Sequence, residues 1–264
     1  MVESASFAYG GTELSTLAEA QNYYRWVIGQ FAPFLGKRVI EVGAGIGTFA
    51  RSLLNQNVLS ELILVEPGDN LVPLLQRRFA GESRVKIVHG RFERLAMPPR
   101  ADSIVLVNVL EHIAEDQALL RDAHEVLKPA GTLLLLVPAL PRLYGTLDQA
   151  FGHYRRYTKA SLASKLSAAG FEIIRLSYLN FLGIAGWFLT GRVLRRTTLK
   201  PRYVRLYDRG IIPWLSRLEM RWEPPFGQSL LAIARKLDTT SGASFEDRRV
   251  LHASVPAGVL PWPG

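Results

Sequence analysis

The 264-residue chain contains no cysteine. That removes disulfides, thiolate metal ligands and cysteine nucleophiles together, and it fits a reducing compartment, so the expected location is cytoplasmic. Long apolar runs are missing as well, since none reaches the ~18 residues that a membrane-spanning helix needs. The longest uncharged, apolar-rich stretch, residues 177–191, is interrupted by Asn180 and three glycines. Residues 1–6 lack the basic and apolar regions of a signal peptide. There is no internal repeat.

Acidic residues are the scarcer charge, with 23 Asp and Glu against 32 Lys and Arg, for a net charge of +9. Such a surplus suits nucleic acid, an anionic membrane surface or an acidic substrate. Most of it sits in one place. Residues 181–222 hold Arg192, Arg195, Arg196, Lys200, Arg202, Arg205, Arg209, Arg217 and Arg221 against only Asp208 and Glu219.

Hydrophobic residues make up 48% of the chain, enough for a full core. Residues 1–14 read as a loose lead-in, and 17–34 carry the apolar spacing of one helix ending near Pro33 and Gly36. Strands are expected at 38–42, 60–65, 84–88, 102–108, 132–137, 171–176 and 228–235. Helices are expected at 49–55, 70–79, 116–127 and 158–169. This alternation argues for a doubly wound α/β fold, a mostly parallel sheet covered on both faces. Roughly forty residues of helical character between the sixth and seventh strands exceed what such a fold requires. The expected division is a helical lead-in at 1–36, a Rossmann-like core at 37–180, a helical insertion at 181–222, a last strand within 223–238 and a flexible tail at 239–264.

The most informative stretch is Glu41-Val42-Gly43-Ala44-Gly45-Ile46-Gly47-Thr48. A buried strand turns tightly into a helix here and leaves bare backbone for a ligand. A dinucleotide fingerprint would place its third glycine at Thr48, and a Walker loop would need Gly-Lys-Ser/Thr, so neither fits. Glu41 ends the first strand and Glu66 the second. At the carboxyl edge of adjacent parallel strands the second acid can accept hydrogen bonds from ribose hydroxyls, and the first can help position an amine.

These residues, with Leu64-Val65-Glu66-Pro67, Asn108-Val109-Leu110-Glu111-His112 and Leu127-Lys128-Pro129-Ala130-Gly131, resemble the class I S-adenosylmethionine-dependent methyltransferases. The resemblance spans roughly residues 20–180. It implies a seven-stranded sheet with an antiparallel last strand and S-adenosyl-L-methionine as cofactor. Gly43, Gly45 and Gly47 would hug the methionine portion, with Glu66 and Pro67 at the ribose. Arg91 and Phe92 would lie along the adenine, although many relatives carry an acid where this chain has Arg91. Asn108 and Val109 would lie near the methionine amine. Tyr23 is read either as reaching the methionine carboxylate or as part of a packing helix face.

Acceptor candidates cluster after the fifth strand, at the edge where the donor would bind. His153 is a candidate general base oriented by Asp148; alternatively Asp148, His153 and Arg156 form a lattice that holds the loop closed. Tyr144, His112, Arg156, Tyr157 and Tyr178 are candidate acceptor contacts, with His112 a secondary candidate base. No carboxylate cluster for a metal is evident, so no metal is expected. The acceptor is read as a small molecule methylated at a hydroxyl or carboxylate oxygen. The alternative is a lipid-linked or polysaccharide precursor at the membrane surface. The glycines and prolines of 181–222 favour a lid over the acceptor, with a dimer contact and peripheral membrane docking as the other readings. With no RNA-binding module and no base-methylation motif, nucleic acid is not the expected partner.

Overall fold

A computed structural model describes residues 7–11, 13–92 and 101–237. The opening residues read against a signal peptide and the tail beyond Lys236 and Leu237 lie outside that set. Seven strands form one sheet in the order β3-β2-β1-β4-β5-β7-β6. They are β1 (Arg38–Val42), β2 (Glu61–Glu66), β3 (Val85–His89), β4 (Ala101–Val107), β5 (Leu127–Pro138), β6 (Phe171–Leu179) and β7 (Ser229–Lys236). The first five run parallel, whereas β7 inserts antiparallel between β5 and β6. Strand β5 begins earlier than expected. Leu127 pairs with Ala101, and the register then shifts before Thr132 meets Ser103, so the Lys128–Gly131 turn is absorbed into the strand.

Alternation along each strand distributes apolar side chains to two cores. Ile40, Val42, Ile104, Leu106, Leu133 and Leu135 meet Leu119, Leu120 and Ala123 of α5 (Asp116–Val126) and Leu162 and Leu166 of α7 (Lys159–Ala168). Val39, Leu62, Leu64, Val105, Leu134 and Leu136 meet Val27 and Phe31 of α2 (Gln21–Phe31), Ala50 and Leu53 of α3 (Thr48–Leu54) and Leu75 of α4 (Val72–Arg78). Each fully buried leucine or isoleucine contributes ~1.5–3 kcal/mol of transfer free energy, which makes this pattern the main determinant of the sheet. Thr158 caps α7, its hydroxyl accepting from the Ser161 N–H.

The helix expected over 17–34 is divided. A short helix α1 (Glu13–Leu17) turns into α2, and a 3-10 turn at Ala32–Phe34 accommodates Pro33. The break is stabilised from far away in sequence. The carboxylate of Asp208 accepts from the backbone N–H groups of Asn22 and Tyr23 at 3.0 and 2.9 Å, supplying the N-terminal cap that α2 lacks locally. Nor are the described residues of the lead-in loose. The Phe7 N–H donates to Asp69, the Tyr9 N–H to Asn70, and Leu14 reaches over Gly45.

After β6 the chain leaves the sheet as α8 (Gly183–Phe188), a π turn (Leu189–Val193), α9 (Pro201–Gly210) and α10 (Ile212–Arg221). Ile212 and Leu215 join the core beneath α2. Glu219 accepts from the N–H groups of Asn180 and Phe181 at 2.9 Å, and the Gln228 N–H donates to the Asn180 carbonyl, which closes the base of the insertion. Among the described residues no helix is long and apolar enough to cross a membrane.

Candidate active site

Two cavities open along the carboxyl edge of the parallel strands, of about 680 and 420 Å³. They share Tyr9, Leu14, Gly43, Asn108, His112 and Phe151 as a common wall.

The larger cavity is lined by Gly43, Gly45, Glu66, Pro67, Arg91, Phe92, Asn108 and Val109, all marked from sequence, and by Phe7, Tyr9 and Leu14 of the lead-in. Gly43 has φ +69°, and a Cβ there would come within 2.7 Å of Val109. Glu66 accepts from the Gly45 N–H at 2.7 Å and the Gly68 N–H at 2.8 Å, so its carboxylate both organises the glycine turn and keeps lone pairs for a ligand. Burial raises its pKa above the ordinary carboxylate range. Two sequence candidates lie elsewhere. Gly47 starts α3 and faces Phe79 and Leu75, so its bare Cα serves packing. Glu41 is buried behind the loop, outside both cavity linings, with its pKa raised well above normal by burial and by Glu66.

The smaller cavity is built by distant segments: Glu111 and His112 after β4, Phe151, His153 and Arg156 after β5, and the insertion through Trp187, Thr190, Tyr203 and Tyr207. Tyr23 lines this cavity, not the larger one, with its hydroxyl 3.1 Å from Ser229 Oγ. Tyr144, Tyr157 and Tyr178 do not line it. Tyr144 donates to the His153 carbonyl, the buried Tyr157 donates to Asp116, and the Tyr178 ring lies under Lys159.

Asp148 is the hub. It sits in α6 (Thr146–Ala150), where its Oδ2 accepts from the Gly145 N–H and from Trp187 Nε1, and its Oδ1 accepts from Arg156 Nε at 2.7 Å. Oδ1 is also 2.9 Å from His153 Nδ1. Burial opposes its charge, but the hydrogen bonds from His153 and Trp187 and the Arg156 guanidinium bring its pKa below the ordinary value. The lattice and the oriented histidine are therefore one structure. Nε2 of His153 points toward Glu111 Oε1 at 4.0 Å, too far for a hydrogen bond. Glu111 is fully buried with neither carboxylate oxygen partnered, and burial raises its pKa to about 8. His112, edge-on to His153 at 4.8 Å, is pushed down to about 4 by burial and by its neighbour.

Two residues of this cavity, Glu111 and Trp187, are not among the candidate site residues read from the sequence. An acid directly after β4 was the available signal for the first; nothing local identified the second as a partner of Asp148. The expectation of no metal rested on finding no carboxylate cluster. Among the described residues, Glu111, His112 and His153 present ligand atoms within 4.8 Å of one another, a mixed carboxylate–imidazole group that sequence spacing did not reveal.

The model of a methyltransferase domain matches residues 17–176, which is more than half of the chain and includes the glycine loop, Glu66, Glu111 and His153. This chain belongs to the methyltransferase-domain family. A demethylmenaquinone methyltransferase of Clavibacter sepedonicus is 25% identical over 206 residues, covering 66% of this chain and 82% of that protein. A ubiquinone biosynthesis O-methyltransferase of Azorhizobium caulinodans is 27% identical over 172 residues, covering 58% of this chain and 66% of the relative. Among solved structures, a methyltransferase of Thermotoga maritima described as a possible histamine N-methyltransferase superposes with a TM-score of 0.58 at 18% identity, covering 85% and 94% of the two chains. The protein is a class I S-adenosylmethionine-dependent methyltransferase with the Rossmann-like sheet of that class.

Proposed function

We propose that the enzyme methylates an oxygen, most simply a hydroxyl, on a small and largely apolar acceptor held in the smaller cavity. The observation that carries this reading is the position of His153 on that cavity, backed by Asp148 and facing the unpartnered Glu111. S-adenosylmethionine, when bound, supplies an electrophilic methyl on a sulfonium. The larger cavity suits it: bare backbone at Gly43 and Gly45, a carboxylate with spare lone pairs at Glu66, and a shared wall through which the two compartments meet.

Displacement at a methyl group needs alignment and exclusion of water, and a hydroxyl nucleophile also needs a proton acceptor. The ionised Asp148 takes the Nδ1–H of His153, which leaves Nε2 with a lone pair directed into the cavity. An acceptor oxygen set to one side of the 4.0 Å line from Nε2 to Glu111 Oε1 comes within hydrogen-bond distance of both. Glu111, mostly protonated near neutral pH, donates to that oxygen and orients it. His112 stays neutral, so the positive charge that follows proton transfer resides on His153, beside Asp148. The aromatic walls from Phe151, Trp187 and Tyr207 support a ring-bearing acceptor, in keeping with the ubiquinone biosynthesis O-methyltransferase among the relatives.

The test is a screen of phenols, alcohols, carboxylates and amines with labelled donor, run on the wild type and on His153→Ala. Oxygen acceptors should be methylated, and the variant should lose ~10²–10⁴-fold in turnover while still binding S-adenosylhomocysteine. Methylation confined to amines, or an unchanged variant, would refute the reading.

A further inference from the structure

We propose that the outward face of the helical insertion docks on an anionic phospholipid bilayer and that the acceptor enters the smaller cavity from that surface. The docking stands on the insertion alone; the entry route rests on the reading of the smaller cavity as the acceptor site.

The insertion is two-sided. Along α9, Val204, Tyr207 and Asp208 face inward, while Arg202, Arg205, Leu206 and Arg209 form the opposite stripe, with Leu206 71% exposed. Along α10, Ile212, Leu215 and Glu219 are buried, while Trp214, Arg217 and Arg221 are exposed, Trp214 by 56%. Between these helices and α8, the turn region exposes Phe188, Leu189, Val193 and Leu194 among Arg192, Arg195 and Arg196. Single exposed apolar side chains are ordinary, but a tryptophan and several aliphatic chains alternating with arginines on one insertion are not.

The charge is just as one-sided. Both acids of the insertion point inward, Asp208 at 2% and Glu219 at 7% exposure, and both are consumed by backbone N–H groups. All nine basic residues are exposed. Among the described residues only Arg205 has a carboxylate within ion-pair range, Glu19 at 3.5 Å. Exposed cations interleaved with Trp and Leu match an anionic headgroup layer with acyl chains beneath it. A second copy would bring nine cations against nine, which opposes a symmetric contact. Aliphatic chains such as Leu189, Val193 and Leu206 offer no stacking platform for bases.

This face adjoins the cavity. Thr190, Leu199 and the half-exposed Tyr203 line it, and their chain neighbours Leu189, Lys200 and Arg202 lie on the outer surface. A membrane-dissolved acceptor thereby reaches the site without its apolar part crossing bulk water.

The experiment is co-sedimentation of the full chain with vesicles of phosphatidylcholine alone or mixed with phosphatidylglycerol. Binding is expected to the mixed vesicles, to weaken with added salt, and to fall about fivefold for each cation neutralised, as in Arg202→Gln and Arg209→Gln. The double variant Leu206→Glu, Trp214→Glu should lose binding at least tenfold while keeping its melting temperature and its affinity for S-adenosylhomocysteine. That donor measurement separates the two ideas: it reports on the methyltransferase site whether or not docking holds. The proposal is overturned by no vesicle binding, by equal binding to neutral and anionic vesicles, or by an unaffected double variant. It is also overturned by a dimer in sedimentation equilibrium that these substitutions dissociate, or by RNA binding tighter than vesicle binding.

Discussion

Nδ1 of His153 lies 2.9 Å from Oδ1 of Asp148, and the other oxygen of that carboxylate accepts from Trp187 of the insertion. One acid therefore joins the loop after β5 to the wall that closes the smaller cavity, and Arg156 locks the joint by pairing with the acid and stacking on Trp187. Orientation of the proposed base and closure of the cavity are a single mechanical unit.

Asp148→Asn keeps the shape but changes the hydrogen-bonding partner of Nδ1. Turnover should fall by ~10²-fold or more, with the dissociation constant of S-adenosylhomocysteine unchanged. Steady-state kinetics together with calorimetry will show the split; a parallel loss of both would make Asp148 a fold residue only.

At Glu66, truncation to alanine removes the acceptor of two backbone hydrogen bonds that shape the glycine turn. The variant also loses the lone pairs offered to the donor, and hydrogen bonds to a charged group contribute ~1.5–3 kcal/mol, so donor affinity should drop tenfold or more. Titration calorimetry with S-adenosylhomocysteine measures it. Unaltered affinity would remove Glu66 from the donor site.

The buried Glu111 imposes a pH dependence on stability. Its folded pKa, about 8, lies above its unfolded value, so the folded state binds the extra proton and stability falls as pH rises from about 4.5 to 8. His112 acts oppositely, because its folded pKa of about 4 makes stability rise up to about 6.5 and stay level above it. Asp148, Arg156 and His153 surround the pair. Between pH 6.5 and 8, then, Glu111 is left without compensation from His112. The wild type should lose stability across that window, and Glu111→Gln should flatten the profile in denaturant titrations; identical profiles would contradict the burial argument.

Chelation provides a separate discrimination. Glu111 is protonated near neutral pH and His153 uses Nδ1 on Asp148, so the trio with His112 should work as a proton-handling group. Turnover at pH 7 should survive prolonged treatment with a chelator. A loss restored by adding a divalent cation would reassign Glu111, His112 and His153 as metal ligands.

Much of the fold was legible because its signals are local. The run of β-branched and leucine residues in each parallel strand, the glycines after β1 and the Thr158 cap act within a few residues, and apart from the early start of β5 and the longer run of β6 the structure places those elements within a residue or two of expectation. The division of α1 from α2 was not legible, because its cap comes from Asp208, 186 positions away from Asn22. Tyr23 shows the same limit: the resemblance implies the methionine carboxylate and the helical spacing a packing face, whereas the structure sets its hydroxyl beside Ser229 on the smaller cavity.

The glycine turn beside the larger cavity thus follows from sequence by itself, since a strand, a tight glycine turn and an acid at the next strand end specify their geometry through nearest-neighbour chemistry. Gly43, Gly45 and Glu66 could be named before any coordinates. Only the tertiary structure decided the smaller cavity. Its walls come from the lead-in, the segments after β4 and β5, the insertion and the start of β7, and no local rule sets the distance between such segments. Packing of the insertion on the sheet brought Trp187 to Asp148, turned both of its acids inward and left nine basic residues facing out.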